Sequence, residues 1–312
     1  MGFTLRSVLL AAGAAAATAV LTAAAPSGTA AADTGRYPVL SLTQMGANEA
    51  RFILTGQDPG QSAPGVNVPG CVPSPAHPEP VVLLHGLDGN QYNGWAMIGP
   101  TLANAGYCVY SLNYGGTGAF DGGTRHVAES ATQIAAFIDK VRSETGAAKV
   151  RLVGHSEGGF MALYVPKKVP GMAAKVSRVV ALAPPSHGTD LFGAVTILDV
   201  LHLRPVVGTA CAGCADILAG SDVMKDFTAT PIAQPGIDYT TLISKHDEAI
   251  TPYTSAALHE PGTHDLVVQD TCPDDPVGHT GLAYDKGVVT MVTNALDPAH
   301  AQPVTCDSGI PF

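Results

Sequence analysis

From residue 80 onward the chain alternates short, continuous apolar runs with longer amphipathic stretches. Val81-Val82-Leu83-Leu84, bounded by Pro80 and His85-Gly86, is too short for a helix and apolar on both faces. That is the signature of a strand buried inside a parallel sheet. Similar runs recur at 107–112, 150–153, 176–182 and 239–243, with a shorter strand candidate at 265–268. Residues 94–105, 126–144, 157–168 and 286–295 predict helices between and after them. Strand alternating with helix implies βαβ units, hence an α/β fold with a mostly parallel sheet and helices on both faces.

Two segments break the alternation. Residues 33–79 are rich in Gly, Pro and Asn and read as an N-terminal arm with one short helical segment around 45–54. After the run ending near Ala183, Pro184-Pro185 opens an insertion of about 185–235. Within it Leu191, Val195, Leu198 and Leu201 fall at helical spacing. A helical cap on the active-site side of the sheet is expected there.

The first 32 residues differ from the rest: Arg6 is their only charged side chain, and residues 7–25 are almost wholly Ala, Val and Leu. A short positive region, an apolar core and Ala30-Ala31-Ala32 before Asp33 predict a cleaved signal peptide and export.

Composition narrows the classes. Of 312 residues 46% are hydrophobic and 13% charged, which excludes a disordered polymer. The net charge of −10, with no Lys/Arg cluster, removes the electrostatic footprint that nucleic-acid binding requires. Six cysteines in an exported chain are expected to pair. Sequence order suggests Cys71 with Cys108, Cys211 with Cys214 and Cys272 with Cys306, among the 15 connectivities that six cysteines allow. For Cys211-Ala-Gly-Cys214, zinc would need a second pair at similar spacing, which the chain lacks.

The chemistry centres on Gly154-His155-Ser156-Glu157-Gly158, which directly follows the run at 150–153 and opens the predicted helix at 157–168. In this strand-turn-helix context a G-x-S-x-G pattern lifts a serine oxygen above the sheet on a strained turn. The loop His85-Gly86-Leu87-Asp88-Gly89-Asn90 follows the first buried run, where backbone N–H groups can stabilise an oxyanion. The predicted donors are the N–H groups of Leu87 and Glu157. A serine nucleophile needs an imidazole base, and the imidazole needs a carboxylate to hold its tautomer. In this fold both follow the serine, acid first. Asp247, just past the run at 239–243, is the expected acid, with Glu248, Asp238 and Asp190 as competitors. Beyond Asp247 the base is one of His259, His264, His279 and His300. His279 lies on a loop leading into the final helix.

These residues together resemble the secreted actinobacterial triacylglycerol lipases of the alpha/beta-hydrolase superfamily. The resemblance is carried by the segment 80–86, the segment 106–115, the turn 154–159, the Asp247 turn and the stretch around His279. It implies Ser156 as nucleophile, Asp247 and His279 as its partners, Leu87 and Glu157 as oxyanion donors, and favours the Cys71–Cys108 pair. It further implies a secreted monomeric ester hydrolase that needs no cofactor or metal, acts on ester or lipid substrates and makes transient contact with a lipid–water interface. An esterase, polyester hydrolase or acyltransferase would use the same triad, and a non-catalytic binding module could share the fold. Glu157 departs from the glutamine that many such lipases carry. Its side chain is expected to add negative charge beside the nucleophile and disfavour acidic acyl groups.

Overall fold

The computed structural model describes residues 36–55, 61–116, 121–201 and 203–312. The expected signal peptide lies outside them. Among the described residues six strands form one sheet in the order β2-β1-β3-β4-β5-β6: β1 Val81–Leu84, β2 Val109–Ser111, β3 Val150–His155, β4 Val176–Leu182, β5 Asp238–Ile243 and β6 Thr263–Val267. Every pairing is parallel. The central runs expected from the sequence are all strands. The last strand begins at Thr263, because Thr263 to Val267 pair residue by residue with Tyr239 to Ile243.

The helices are α1 Leu42–Thr55, α2 Ile98–Asn104, α3 Val127–Thr145, α4 Glu157–Lys168, α5 Ala194–Val200, α6 Arg204–Ala210, α7 Ala212–Asp216, α8 Asp222–Thr228, α9 Val268–Thr271 and α10 Lys286–Leu296. Side-chain alternation along the strands splits the core into two layers. Val81, Leu83, Val153, Val180 and Leu242 pack with Ile98 and Leu102 of α2 and Val288, Val292 and Leu296 of α10. Val82, Leu84, Leu152, Val179 and Ala181 pack with Ile134, Ile138 and Val141 of α3 and Phe160 to Leu163 of α4. Each fully buried aliphatic or aromatic side chain contributes roughly 2 kcal/mol of transfer free energy, which is why strands apolar on both faces suit this sandwich.

The strand order decides where a site can form. The chain leaves β1 to make β2 on one side, then crosses back to make β3 on the other. The loops after β1 and β3 therefore diverge, and a crevice opens between them at the carboxyl ends of the strands.

The insertion between β4 and β5 is helical, as expected, but its predicted stripe does not form one face. Leu191 and Phe192 both adopt positive φ and α5 starts only at Ala194. Val195 alone of the four stripe residues is buried, whereas Leu191 and Leu201 are exposed. Three disulfides are present, Cys71–Cys108, Cys211–Cys214 and Cys272–Cys306. No described helix is long and apolar enough to cross a membrane.

Candidate active site

Ser156 sits between the end of β3 and the start of α4 with φ 58° and ψ −127°. That backbone conformation is costly for a residue with a Cβ and survives only where packing over-determines it. Here the packing is glycine-dependent. A Cβ on Gly154 would collide with the Gly158 carbonyl, and one on Gly158 would collide with the carbonyl oxygens of Leu84 and His85. The Ser156 N–H donates to Leu182 O at 2.8 Å, tying the turn to β4.

His279 and Asp247 converge on this serine from far along the chain. Ser156 Oγ and His279 Nε2 are 2.8 Å apart, and His279 Nδ1 and Asp247 Oδ2 are 2.9 Å apart. Asp247 Oδ1 accepts the N–H groups of Ala249 at 2.9 Å and Ile250 at 2.7 Å. The carboxylate is thus locked by its own turn, with one oxygen left for the imidazole. Its side chain is 1% exposed and that of His279 10%, so the pair interacts away from bulk water.

The competitors fall elsewhere. Asp238 pairs with Arg178 at the start of β5, the opposite end of the sheet. Asp190 accepts from Thr251 Oγ1 at 2.7 Å. Glu248 contacts His279, but through Oε2 to its backbone N–H at 2.9 Å rather than through the ring. His259 lies 3.8 Å from Asp265, His264 is on β6, and His300 bonds Asp297.

Two further groups position His279 and escaped the sequence reading. His155 Nε2–H donates to the His279 carbonyl at 2.9 Å, which settles its tautomer, and the two rings pack with centroids 4.9 Å apart. Desolvation, helped by the neighbouring His279, lowers the His155 pKa to about 3, so this ring is neutral. The irregular C-terminal residues 310–312 lie against the His279 loop: Gly278 N–H donates to Ile310 O and Gly281 N–H to Phe312 O. Only the x of G-x-S-x-G marked His155, and no local pattern marked residues 310–312.

The loop after β1 borders the serine on the other side. Gly86 abuts Ser156, since a Cβ on it would come within 2.9 Å of the Ser156 Cβ. The Gly86 carbonyl accepts from His85 Nδ1–H at 2.9 Å and from Gly89 N–H at 3.1 Å. This anchors the plane of the peptide whose N–H belongs to Leu87. Burial lowers His85 to about 4, consistent with a neutral ring that donates through Nδ1. Among the described residues neither Leu87 N–H nor Glu157 N–H is engaged by another protein group. Glu157 is the first residue of α4, whose opening N–H groups have no intrahelical acceptor and favour negative charge.

The side chain of Glu157 corrects the expectation of a charge facing the substrate. It is fully buried, its Oε2 lies 2.8 Å from the Tyr114 hydroxyl, and desolvation raises its pKa to about 8.

A parallel sheet with its strand order reversing between β1 and β3, a strained serine at that crevice and an imidazole and carboxylate on the loops after later strands leave one architecture. The chain has the alpha/beta-hydrolase fold. A family model described as the alpha/beta hydrolase fold matches residues 79–196. Two curated relatives, triacylglycerol lipases of Pseudarthrobacter phenanthrenivorans and Burkholderia plantarii, are each 34% identical over 131 residues, 40% of this chain. The match spans 38% of the length of the first and 34% of the second. Among solved structures, lipase B of Aspergillus fumigatus superposes with a TM-score of 0.56 at 18% identity, covering 73% of this chain and 53% of that one.

Proposed function

We propose that this alpha/beta-hydrolase is a secreted serine carboxylic-ester hydrolase acting on lipid esters, triacylglycerols foremost. The observation that carries the reading is the hydrogen-bonded run from Ser156 Oγ through both nitrogens of His279 to Asp247 Oδ2. In this mechanism Asp247 accepts from Nδ1–H, leaving Nε2 free to take the serine proton as Oγ attacks the ester carbonyl. The tetrahedral oxyanion is met by Leu87 N–H and Glu157 N–H, each worth roughly 3 kcal/mol of transition-state stabilisation. His279 then protonates the departing alcohol, an acyl group remains on Ser156, and a water activated by the same imidazole releases the acid. The steps use neither metal nor organic cofactor.

The two lipase relatives support lipid esters as substrates. So does the surface of the cap, where Phe192, Ile197, Val200 and Leu201 are 73%, 60%, 72% and 57% exposed. Such side chains suit transient contact with a lipid–water interface. The disulfides and the apolar leader support export; the proposed exported form is a monomer built of the arm 33–79 and the catalytic domain 80–312, with the cap at about 185–235. The test is labelling of the folded protein with a serine-directed phosphonate together with hydrolysis of short soluble esters. The expected result is one adduct at Ser156 and turnover that Ser156→Ala abolishes. Folded protein with no adduct and no turnover refutes the reading.

A further inference from the structure

The Tyr114 hydroxyl carries one hydrogen but lies against two acceptors, the His85 carbonyl at 2.5 Å and Glu157 Oε2 at 2.8 Å. The phenol ring also stacks on the His85 ring, with centroids 4.3 Å apart and planes inclined by 15°. One hydrogen cannot serve both oxygens, so the geometry is satisfied only if the second hydrogen comes from the carboxyl group itself. We propose that the Glu157 side chain is a neutral acid and a positioning residue: its Oε2–H donates to Tyr114 Oη, Tyr114 O–H donates to the His85 carbonyl, and the oxyanion loop is held by this relay.

The consequence is a closed arrangement around the oxyanion site, and it rests on the hydrolase reading above. The Glu157 backbone supplies one predicted donor, and its side chain, through Tyr114, steadies the loop that supplies the other from Leu87. Glu157 also packs against the glycine segment above that loop, since a Cβ on Gly123 would meet Glu157 Oε2 at 2.9 Å and Leu87 Cδ2 at 3.4 Å. Its other oxygen, Oε1, is buried and has no hydrogen-bond partner among the described residues, a setting that suits a neutral carboxyl and penalises a carboxylate.

The ionisable groups of the surrounding elements are consistent with that state. After β1 they are His85 and Asp88, after β2 Tyr114 and Asp121, and across the crevice His279 with Asp247. Burial keeps His85 neutral at neutral pH, and burial and Glu157 hold the Tyr114 pKa well above the ordinary phenol value, so neither offers a positive charge. Among the described residues no Lys or Arg is paired with Glu157. Loss of its proton to solvent would leave a carboxylate that competes with the His85 carbonyl for the single Tyr114 hydrogen. The charged acceptor wins that competition. The loop then loses its anchor, and negative charge stands beside the oxyanion site.

The experiment compares wild type, Glu157→Gln and Tyr114→Phe. The infrared difference spectrum between wild type and Glu157→Gln is expected to show a carboxylic-acid carbonyl band at pH 6 that converts to carboxylate as pH rises through about 8. For a soluble ester, wild-type kcat is expected to fall about tenfold by one pH unit above that titration, whereas the kcat of Glu157→Gln keeps the same value across that interval. Tyr114→Phe, which removes the middle of the relay, is expected to lower kcat at pH 7 about tenfold with KM within about twofold. A carboxylate band already present at pH 6 overturns the proposal, and so does an alkaline fall of the same size in Glu157→Gln. If wild type hydrolyses no ester at all, the functional reading fails, and the infrared titration still decides the state of Glu157.

Discussion

Replacing Asp247 with Asn tests the site at its most constrained point. Asp247 Oδ1 accepts two backbone N–H groups, from Ala249 and Ile250, so the amide NH2 of asparagine cannot occupy that position without facing two donors. The NH2 must take the place of Oδ2 and point at His279 Nδ1, 2.9 Å away in the wild type. His279 is then forced to accept at Nδ1 and to carry its proton on Nε2. An Nε2–H cannot take the Ser156 proton, so the base is held in the wrong tautomer while the fold keeps both turn hydrogen bonds. The expected loss is about 10⁴-fold in kcat, or ~5.5 kcal/mol of activation free energy. Losing the charge-assisted bond costs stability only about 1–2 kcal/mol. Steady-state hydrolysis of a soluble short-chain ester, read beside a thermal melt, separates the two. A folded variant whose kcat falls less than about tenfold would show that Asp247 does not set the tautomer of a catalytic base.

Four other outcomes follow from the same geometry. Gly158→Ala is expected to cost more than about 3 kcal/mol or prevent folding, because the methyl would overlap two carbonyl oxygens at the elbow. Gly46→Ala on α1, where nothing lies within 4 Å of the new Cβ, should stabilise by about 0.5–1 kcal/mol; melts of the pair check both. His85 and His155 hold folded pKa values of about 4 and about 3 against an ordinary 6.5. Below pH 6.5 the unfolded chain therefore takes up protons that the folded rings refuse. Stability is expected to be about 4 kcal/mol lower at pH 5 than at pH 7 from these two groups. Denaturant unfolding at both pH values measures it, and His155→Gln should remove about half of the difference. The Cys272–Cys306 bridge closes a loop with a sequence separation of 34. Replacing both cysteines by Ala should cost about 4 kcal/mol. It should also lower kcat, since residues 310–312 support the His279 loop; unchanged turnover would mean that this support is dispensable.

Much of this molecule was readable as a string. The run at 81–84 and the inner parts of two others, 152–153 and 179–182, are strands because they are apolar on both faces, and a parallel sheet covered by two helical layers is what buries both. Gly154 and Gly158 announced the elbow because only glycine fits where backbone carbonyls crowd the turn. These are local properties, carried by neighbouring residues. The choice of His279 among the late histidines rested on its loop before the final helix together with a resemblance, since position alone leaves His259, His264 and His300 open.

The cap stripe misled for a related reason. Spacing alone counts Leu191 and Leu201 with Val195, but the positive φ angles of Leu191 and Phe192 break the helix before Ala194 and leave most of those side chains outside. Glu157 misled more deeply. Its identity reads as a charge beside the nucleophile, whereas its environment removes water and supplies Tyr114.

The amino-acid order by itself determined the elements, their layering and the serine turn, because each depends on the chemistry of residues a few positions apart. Tertiary structure alone decided which strands became neighbours, which histidine reached Ser156 across 123 positions, and which carboxyl group lost its solvent. Those outcomes depend on contacts between distant segments, and a side chain's protonation and partners are set by whatever the fold packs around it.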